Sequence, residues 1–308
     1  MTSLPDTMKL GTRGSPLAMT QANMVRDALI AAHKLGSHAI EIVPIKTSGD
    51  KIQDRALAEV GGKALWTKEL DRALEDGRID FAVHSMKDVE TIRPSVIVIA
   101  AMLERADVRD RLIGADTVAS IPNGGRVGTS SPRRSAQILR ARPDLEIVLF
   151  RGNVATRLEK LEHGEADATL LAAAGLDRLG QRDIGHAVPV AEMLPAPSQG
   201  AVGIECLADR TELRAFLGAI DHEDTHLCVA AERLLLERLG ADCRSPVAAL
   251  ALREPAGLWL RAELLSNDGV EHVSGEAHFA IGDDAAVRAL AESLLDRAGP
   301  ALRALFTG

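Results

Sequence analysis

A chain of 308 residues with 46% hydrophobic and 26% charged residues is long enough for two or three domains, and it excludes the disordered and fibrous classes. A net charge of −8, 2% aromatic residues and no tyrosine argue against a nucleic-acid binder, which needs a positive field or rings on which bases stack. The longest uncharged apolar run, residues 96–103, is too short to span a bilayer, and the N-terminus lacks the basic and apolar regions of a secretory leader, so a soluble cytoplasmic protein is expected.

In chain order, "MKLGTR" reads as a strand ending in a turn. "SPLAMTQANMVRDALIAAHKLG" reads as a helix capped by Ser15, with Pro16 at its first position, Gly36 as its stop and an apolar stripe at residues 18, 22, 25, 29 and 32. "IEIVPI" is a strand, "LWTKELDRALEDG" a helix, and "IDFAVHS" and "SVIVIAAM" are strands. The pattern breaks over 104–125 and restarts with "GRVGTS" (strand), "SPRRSAQILRAR" (helix), "EIVLF" (strand), "NVATRLEKLEHG" (helix) and "ATLLAAA" (strand). Past residue 222 the texture changes. The helix "LCVAAERLLLERLG" precedes two strands, "LWLRAELL" and "VEHVSGEA", joined by an Asp-Gly hairpin signal, and "DAAVRALAESLLDRAG" closes the chain as a helix. The order predicts an α/β protein of two lobes plus a small α+β tail, with polar groups at strand ends pointing into a cleft.

Chemistry gathers at the strand-to-helix junctions. "GTRGSP" presents Arg13 and Ser15, "GTSSPRRS" presents Thr129, Ser130, Ser131, Arg133 and Arg134, and "FRGNVATR" presents Arg151 and Arg157. Between Arg126 and Arg157 seven arginines face only Asp144 and Glu146, so an acidic protein concentrates cations in one window. Helix N-termini and arginine forks both favour carboxylates or phosphates. Any one of these arginines could be an ordinary surface charge, but the set predicts a site for an anion-rich ligand. No Walker A loop or GxGxxG is present, so a nucleotide is not indicated. Asp88, after the strand "IDFAVHS", is either a turn residue or a carboxylate that accepts N–H groups and stabilises a developing cation. "EVGGKALW" suits a mobile lid or a simple loop.

Three cysteines, Cys206, Cys228 and Cys243, are widely spaced and do not suggest a disulfide framework. "HEDTHLC" brings His222, His226 and Cys228 together, but no fourth ligand lies nearby, so no metal is expected. Cys243, in "LGADCRSPVAAL", is either a small buried hydrophobe or a loop thiol that Arg244 would help to ionise.

The segments "GTRGSPLAMTQA", "VGGKALWTKEL", "AVHSMKDV", "VGTSSPRR", "PDLEIVLFRGNVATRLEKL", "AAAGLDRLG", "PSQGAVGIEC" and "CVAAERLLLERLGADCRSPVAA" resemble, in this order, the porphobilinogen deaminase (hydroxymethylbilane synthase) family. The resemblance runs from about residue 8 to residue 250. It implies a transferase of tetrapyrrole biosynthesis that joins four porphobilinogen molecules head to tail, releasing ammonia. It further implies a dipyrromethane cofactor held by a thioether to Cys243, and Asp88 as the catalytic carboxylate that binds pyrrole N–H groups. The family's carboxylate-binding residues match Arg13, Ser15, Lys87, Thr129, Ser131, Arg133, Arg134, Arg151, Arg157 and Arg178, its hinge matches Gln199, and its lid carries Lys63 and Trp66.

The implied fold is two periplasmic-binding-protein-like α/β lobes with two hinge crossings, plus a small α+β C-terminal domain. Expected boundaries are 1–103 with 201–220, then 104–200, then 221–308. A monomer without a nucleic-acid or membrane partner is expected. Two departures stand out. Trp66 replaces the usual phenylalanine, and Ala241-Asp242 replaces the usual two glycines before the cysteine, which would cost strain if either glycine needs positive φ. The competing reading is a non-catalytic two-lobed binding protein for an anionic small molecule.

Overall fold

A computed structural model describes residues 5–47, 67–242 and 244–306. The chain separates into two compact units: residues up to 106 with 200–226, and residues 107–199 with those from 227 on.

The first unit begins as expected. β1 (Met8–Arg13) turns into α1 (Pro16–His33), whose cap Ser15 accepts the Ala18 N–H at 3.3 Å. β2 (Ile40–Ile45), α2 (Lys68–Glu75), β3 (Phe81–Ser85) and β4 (Ile97–Met102) follow. The sheet is completed by β10 (Val202–Leu207), giving the order β2-β1-β3-β10-β4. β1 is parallel to β2 and β3, while β10 is antiparallel to β3 and β4. Leu10, Val25, Leu29, Phe81, Val83 and Ile204 form its core; of the predicted α1 stripe, residues 22, 25 and 29 are buried, residue 18 is half-buried, and Ala32, in the last turn, is exposed. The three parallel strands end at one edge, where polar residues of an open α/β sheet meet ligands.

The second unit repeats this plan. It contains β5 (Asp110–Ile113), β6 (Arg126–Thr129), α3 (Pro132–Ala141), β7 (Glu146–Leu149), α4 (Val154–Glu162), β8 (Ala168–Ala172), α5 (Ala173–Arg178) and β9 (His186–Ala187). The order is β7-β6-β8-β5-β9, again with parallel strands on one side and an antiparallel strand beside β8. In each sheet the antiparallel fourth strand, β10 or β5, is the segment that the chain forms after leaving the other unit.

After α6 (Thr211–Gly218) and α7 (Glu223–Arg238) come three antiparallel strands, β11 (Val247–Glu254), β12 (Gly257–Leu265) and β13 (His272–Phe279), then α8 (Asp284–Arg297) and α9 (Pro300–Arg303). β11 adds a strand to the two expected. Its first five residues, "VAALA", are all buried, so they show no alternation to read. The α/β class, the two sheet-bearing lobes and the small C-terminal sheet are those expected. Among the described residues no helix is long and apolar enough to cross a membrane.

Candidate active site

In the first unit Arg13 ends β1, Ser15 caps α1, and a single 3-10 turn, Met86–Asp88, carries the chain out of β3. Met86 is 1% exposed and seats against Gly203, where an added Cβ would lie 2.0 Å from its sulfur. This close approach holds the turn against β10. One cavity is lined by Arg13, Ser15, Gln21, His84, Ser85 and Asp88, among others. Two of the residues expected to bind carboxylates and the expected catalytic aspartate therefore share one wall. Lys87 lies in the same turn and is half-buried. The Gln21 amide donates to the Ser85 hydroxyl at 2.8 Å, fixing α1 against β3 beneath the cavity.

Behind the cavity lies a buried charge cluster that the sequence did not disclose. His84 Nε2 is 3.2 Å from Glu205 Oε2, and Glu205 is fully buried on β10. Arg93 donates through Nε and Nη2 to the two Glu205 oxygens, each at 2.9 Å, and also pairs with Asp71 and Glu90. Burial pushes the Glu205 carboxyl up, but His84 and Arg93 outweigh it and hold the group at about 2. Arg93 loses to burial and gains more from Glu205 and Asp71, so its proton is held more tightly than usual.

In the second unit the β6-to-α3 junction places Thr129, Ser131, Arg133 and Arg134 together. Ser131 caps α3 by accepting the Arg134 N–H at 3.4 Å, and its own N–H donates to Thr129 Oγ1 at 3.1 Å. The two arginines lie inward, only 3% and 6% exposed. Arg133 Nη2 and Arg134 Nη2 donate to the two oxygens of Asp110 at 2.8 and 2.6 Å. Burial pushes the Asp110 carboxyl up, yet Arg133 and Arg134 outweigh it and hold the group well below its ordinary range. Gln199, the expected hinge residue, donates to the same carboxylate at 3.0 Å and to Val108 O at 2.7 Å. Nε of Arg133 and of Arg134 is buried with no hydrogen-bond partner among the described residues.

Arg151 follows the buried Phe150 and is 7% exposed. Arg157 donates to Gly152 O at 3.1 Å and to Ser130 Oγ at 3.4 Å. Arg178 ends α5, and burial pushes its pKa down. Lys63, Trp66 and Cys243 lie outside the described residues.

The residues flanking Cys243 answer the question of strain. Neither Ala241 nor Asp242 has positive φ; Gly240 takes it, at 62°, as α7 ends. Ala241 is buried in the C-terminal core. Asp242 donates its N–H to Ser245 Oγ at 3.1 Å and accepts the Arg244 N–H at 2.8 Å. Nδ1 of His222 accepts the Thr225 N–H, and Nδ1 of His226 lies 3.0 Å from Asp221.

Asp110, Glu205 and His84 were missed from sequence. Asp110 fell in the unpatterned stretch 104–125, and its partners lie 23, 24 and 89 residues away. A charge inside a strand, as at Glu205, is the one signal that could have pointed to such a cluster.

A family model described as "Porphobilinogen deaminase, dipyromethane cofactor binding domain" matches residues 8–215, and one described as "Porphobilinogen deaminase, C-terminal domain" matches residues 226–296. A porphobilinogen deaminase of Sphingopyxis alaskensis is 60% identical over 305 residues, covering 97% of this chain and 96% of its own length. A chloroplastic one of Oryza sativa is 50% identical over 268 residues, covering 85% and 75%. Among solved structures, an ancestral arginine-binding protein bound to arginine is similar at 13% identity and a TM-score of 0.40, covering 71% of this chain and 92% of that one.

Proposed function

Because the chain belongs to the porphobilinogen deaminase family, we propose that it condenses four porphobilinogen molecules head to tail into hydroxymethylbilane, and that Asp88 is its catalytic carboxylate. The observation that carries the residue assignment is the cavity where Asp88 stands beside Arg13 and Ser15. A carboxylate there accepts pyrrole N–H groups and stabilises the positive charge that develops on the substrate as ammonia leaves. Arg13 and Ser15 hold a substrate carboxylate at the same wall, with Lys87 from the adjoining turn.

Cys243 would hold dipyrromethane through a thioether, and that group, when bound, would supply the free pyrrole position for chain growth. The residues of the second unit fit such a carboxylate-bearing group. Arg133 and Arg134 bring two cations to one anion, and each keeps a buried Nε without a partner among the described residues. Thr129, Ser131, Arg151, Arg157 and Arg178 complete the set that would hold its acetates and propionates. Gln199, bonded to Asp110, ties the end of that unit to the arginine pair.

The protein works as a cytoplasmic monomer with porphobilinogen as its partner, and neither nucleic acid nor membrane takes part; the net charge of −8 supports the first of these exclusions. The decisive experiment joins intact mass to turnover. The purified protein should exceed its sequence mass by one dipyrromethane, lose that excess in Cys243→Ser, and release ammonia from porphobilinogen. Bare sequence mass with no ammonia release would overturn the enzyme reading in favour of a binding protein.

A further inference from the structure

Asp110 opens β5 with a side chain that is fully buried. It accepts three hydrogen bonds: Arg133 Nη2 at 2.8 Å on one oxygen, and Arg134 Nη2 at 2.6 Å and Gln199 Nε2 at 3.0 Å on the other. The remaining terminal nitrogens are also engaged. Arg133 Nη1 donates to Gln137 Oε1 and Leu194 O, and Arg134 Nη1 donates to Leu170 O at 3.0 Å.

Arg133 and Arg134 are successive residues in the first turn of α3, so they leave the helix axis about 100° apart. The two side chains nevertheless meet at one place, each on a different oxygen of Asp110. The charge count is equally specific. Within the triad, two buried cations and one buried anion leave a single positive charge in excess, away from water. The next carboxylate, Glu263, accepts from Gln137 at 2.8 Å and lies within 3.6 Å of Arg140 and 2.9 Å of His272. Burial and the neighbouring Arg134 both press Arg133 towards losing its proton, with Asp110 and, more weakly, Glu263 opposing them. An uncompensated buried charge is costly, and one incoming carboxylate removes the cost.

We propose that Asp110 is a positioning residue for carboxylate binding: it bridges Arg133 and Arg134 and limits their surplus to the one charge that a single acetate or propionate neutralises. This role rests on the function proposed above and adds a residue to it.

The variant Asp110→Asn separates positioning from charge because the two predict opposite signs. It raises the site's excess from one positive charge to two, so attraction alone would lower KM for porphobilinogen. Loss of the bridge would raise it, by about tenfold for one lost charge-assisted contact, with kcat of the cofactor-loaded fraction far less affected. KM and kcat are to be measured on protein whose loading is known from intact mass and whose fold is checked by circular dichroism. An unchanged or lowered KM in folded Asp110→Asn would overturn the proposal. If that variant does not fold, Gln199→Ala removes a charge-assisted bond to Asp110 without changing net charge; KM should then rise about tenfold with kcat far less affected. No rise would refute the role. Wild-type protein that releases no ammonia would instead refute the enzymatic reading on which the proposal rests.

Discussion

Replacing Glu205 by Gln removes the anion at the centre of the cluster behind the Asp88 cavity. An amide offers Arg93 one acceptor oxygen where the carboxylate offered two, and it turns an NH2 group towards a guanidinium or towards His84. The magnitude follows from the carboxyl itself. Its pKa falls from an ordinary 4.5 to about 2, which at about 1.4 kcal/mol per pH unit is worth about 3 kcal/mol of folding free energy at neutral pH. The same size is expected for breaking a buried ion pair by removing one member, about 3–5 kcal/mol. Glu205 is fully buried, so solvent screening does not reduce it.

The sign with pH is also set. A carboxyl whose folded pKa is depressed contributes stability above its unfolded value and loses it as pH falls through the folded value. Urea unfolding of wild type and Glu205→Gln should therefore differ by about 3 kcal/mol at pH 7, and the difference should shrink as pH falls from 4.5 towards 2. Taking the difference cancels the other carboxylates, which titrate in both proteins. A gap that stays constant with pH, or one below about 1 kcal/mol at pH 7, would refute the electrostatic account of the cluster.

Asp88→Asn should fold and acquire cofactor but lose about a hundredfold or more in kcat, measured by product formation; turnover near wild type would remove Asp88 from the chemistry. Gly128→Ala would place a methyl 2.4–2.6 Å from three ring atoms of Phe150, costing about 1–3 kcal/mol in urea unfolding and displacing Arg151 next in the chain, so KM should rise as well. A wild-type melt and KM would mean that the ring moves freely. Asp242→Gly removes the side chain that accepts the Arg244 N–H beside Cys243. It should slow cofactor loading, followed by intact mass, while leaving the melting temperature nearly unchanged, and equal loading rates would show that the clamp is idle.

The elements that were legible in the sequence are those specified within one turn or one strand. Ser15-Pro16 and Ser131-Pro132 announce helix starts because cap and first-turn chemistry is local. The middle of the α1 stripe, residues 22, 25 and 29, and the strand 40–45 follow from periodicity alone. Arginines at strand ends were legible as a set, but the acid that organises two of them was not, since Asp110 meets them only when β5 pairs with β8 and the chain closes on α3. Whether the Ala241-Asp242 replacement costs strain was open in the sequence, because it turns on which residue takes the left-handed conformation. The structure assigns that conformation to Gly240, which leaves alanine free to enter the core and aspartate free to close the turn. Short segments such as α5 and β9 escaped because six and two residues carry too little pattern.

The two buried clusters also explain how an acidic chain can handle a ligand rich in carboxylates. In the second unit one acid serves two arginines, and the surplus is positive. In the first unit one arginine serves Asp71, Glu90 and Glu205, and the surplus is negative before His84 is counted. A positive surplus attracts carboxylates. The negative cluster is joined through His84 to the cavity that Arg13 and Asp88 line, so that cavity holds a cation and a carboxylate side by side. The net charge of −8 is therefore no measure of what either unit binds, because each unit sets its local sign by the ratio of buried acids to buried arginines.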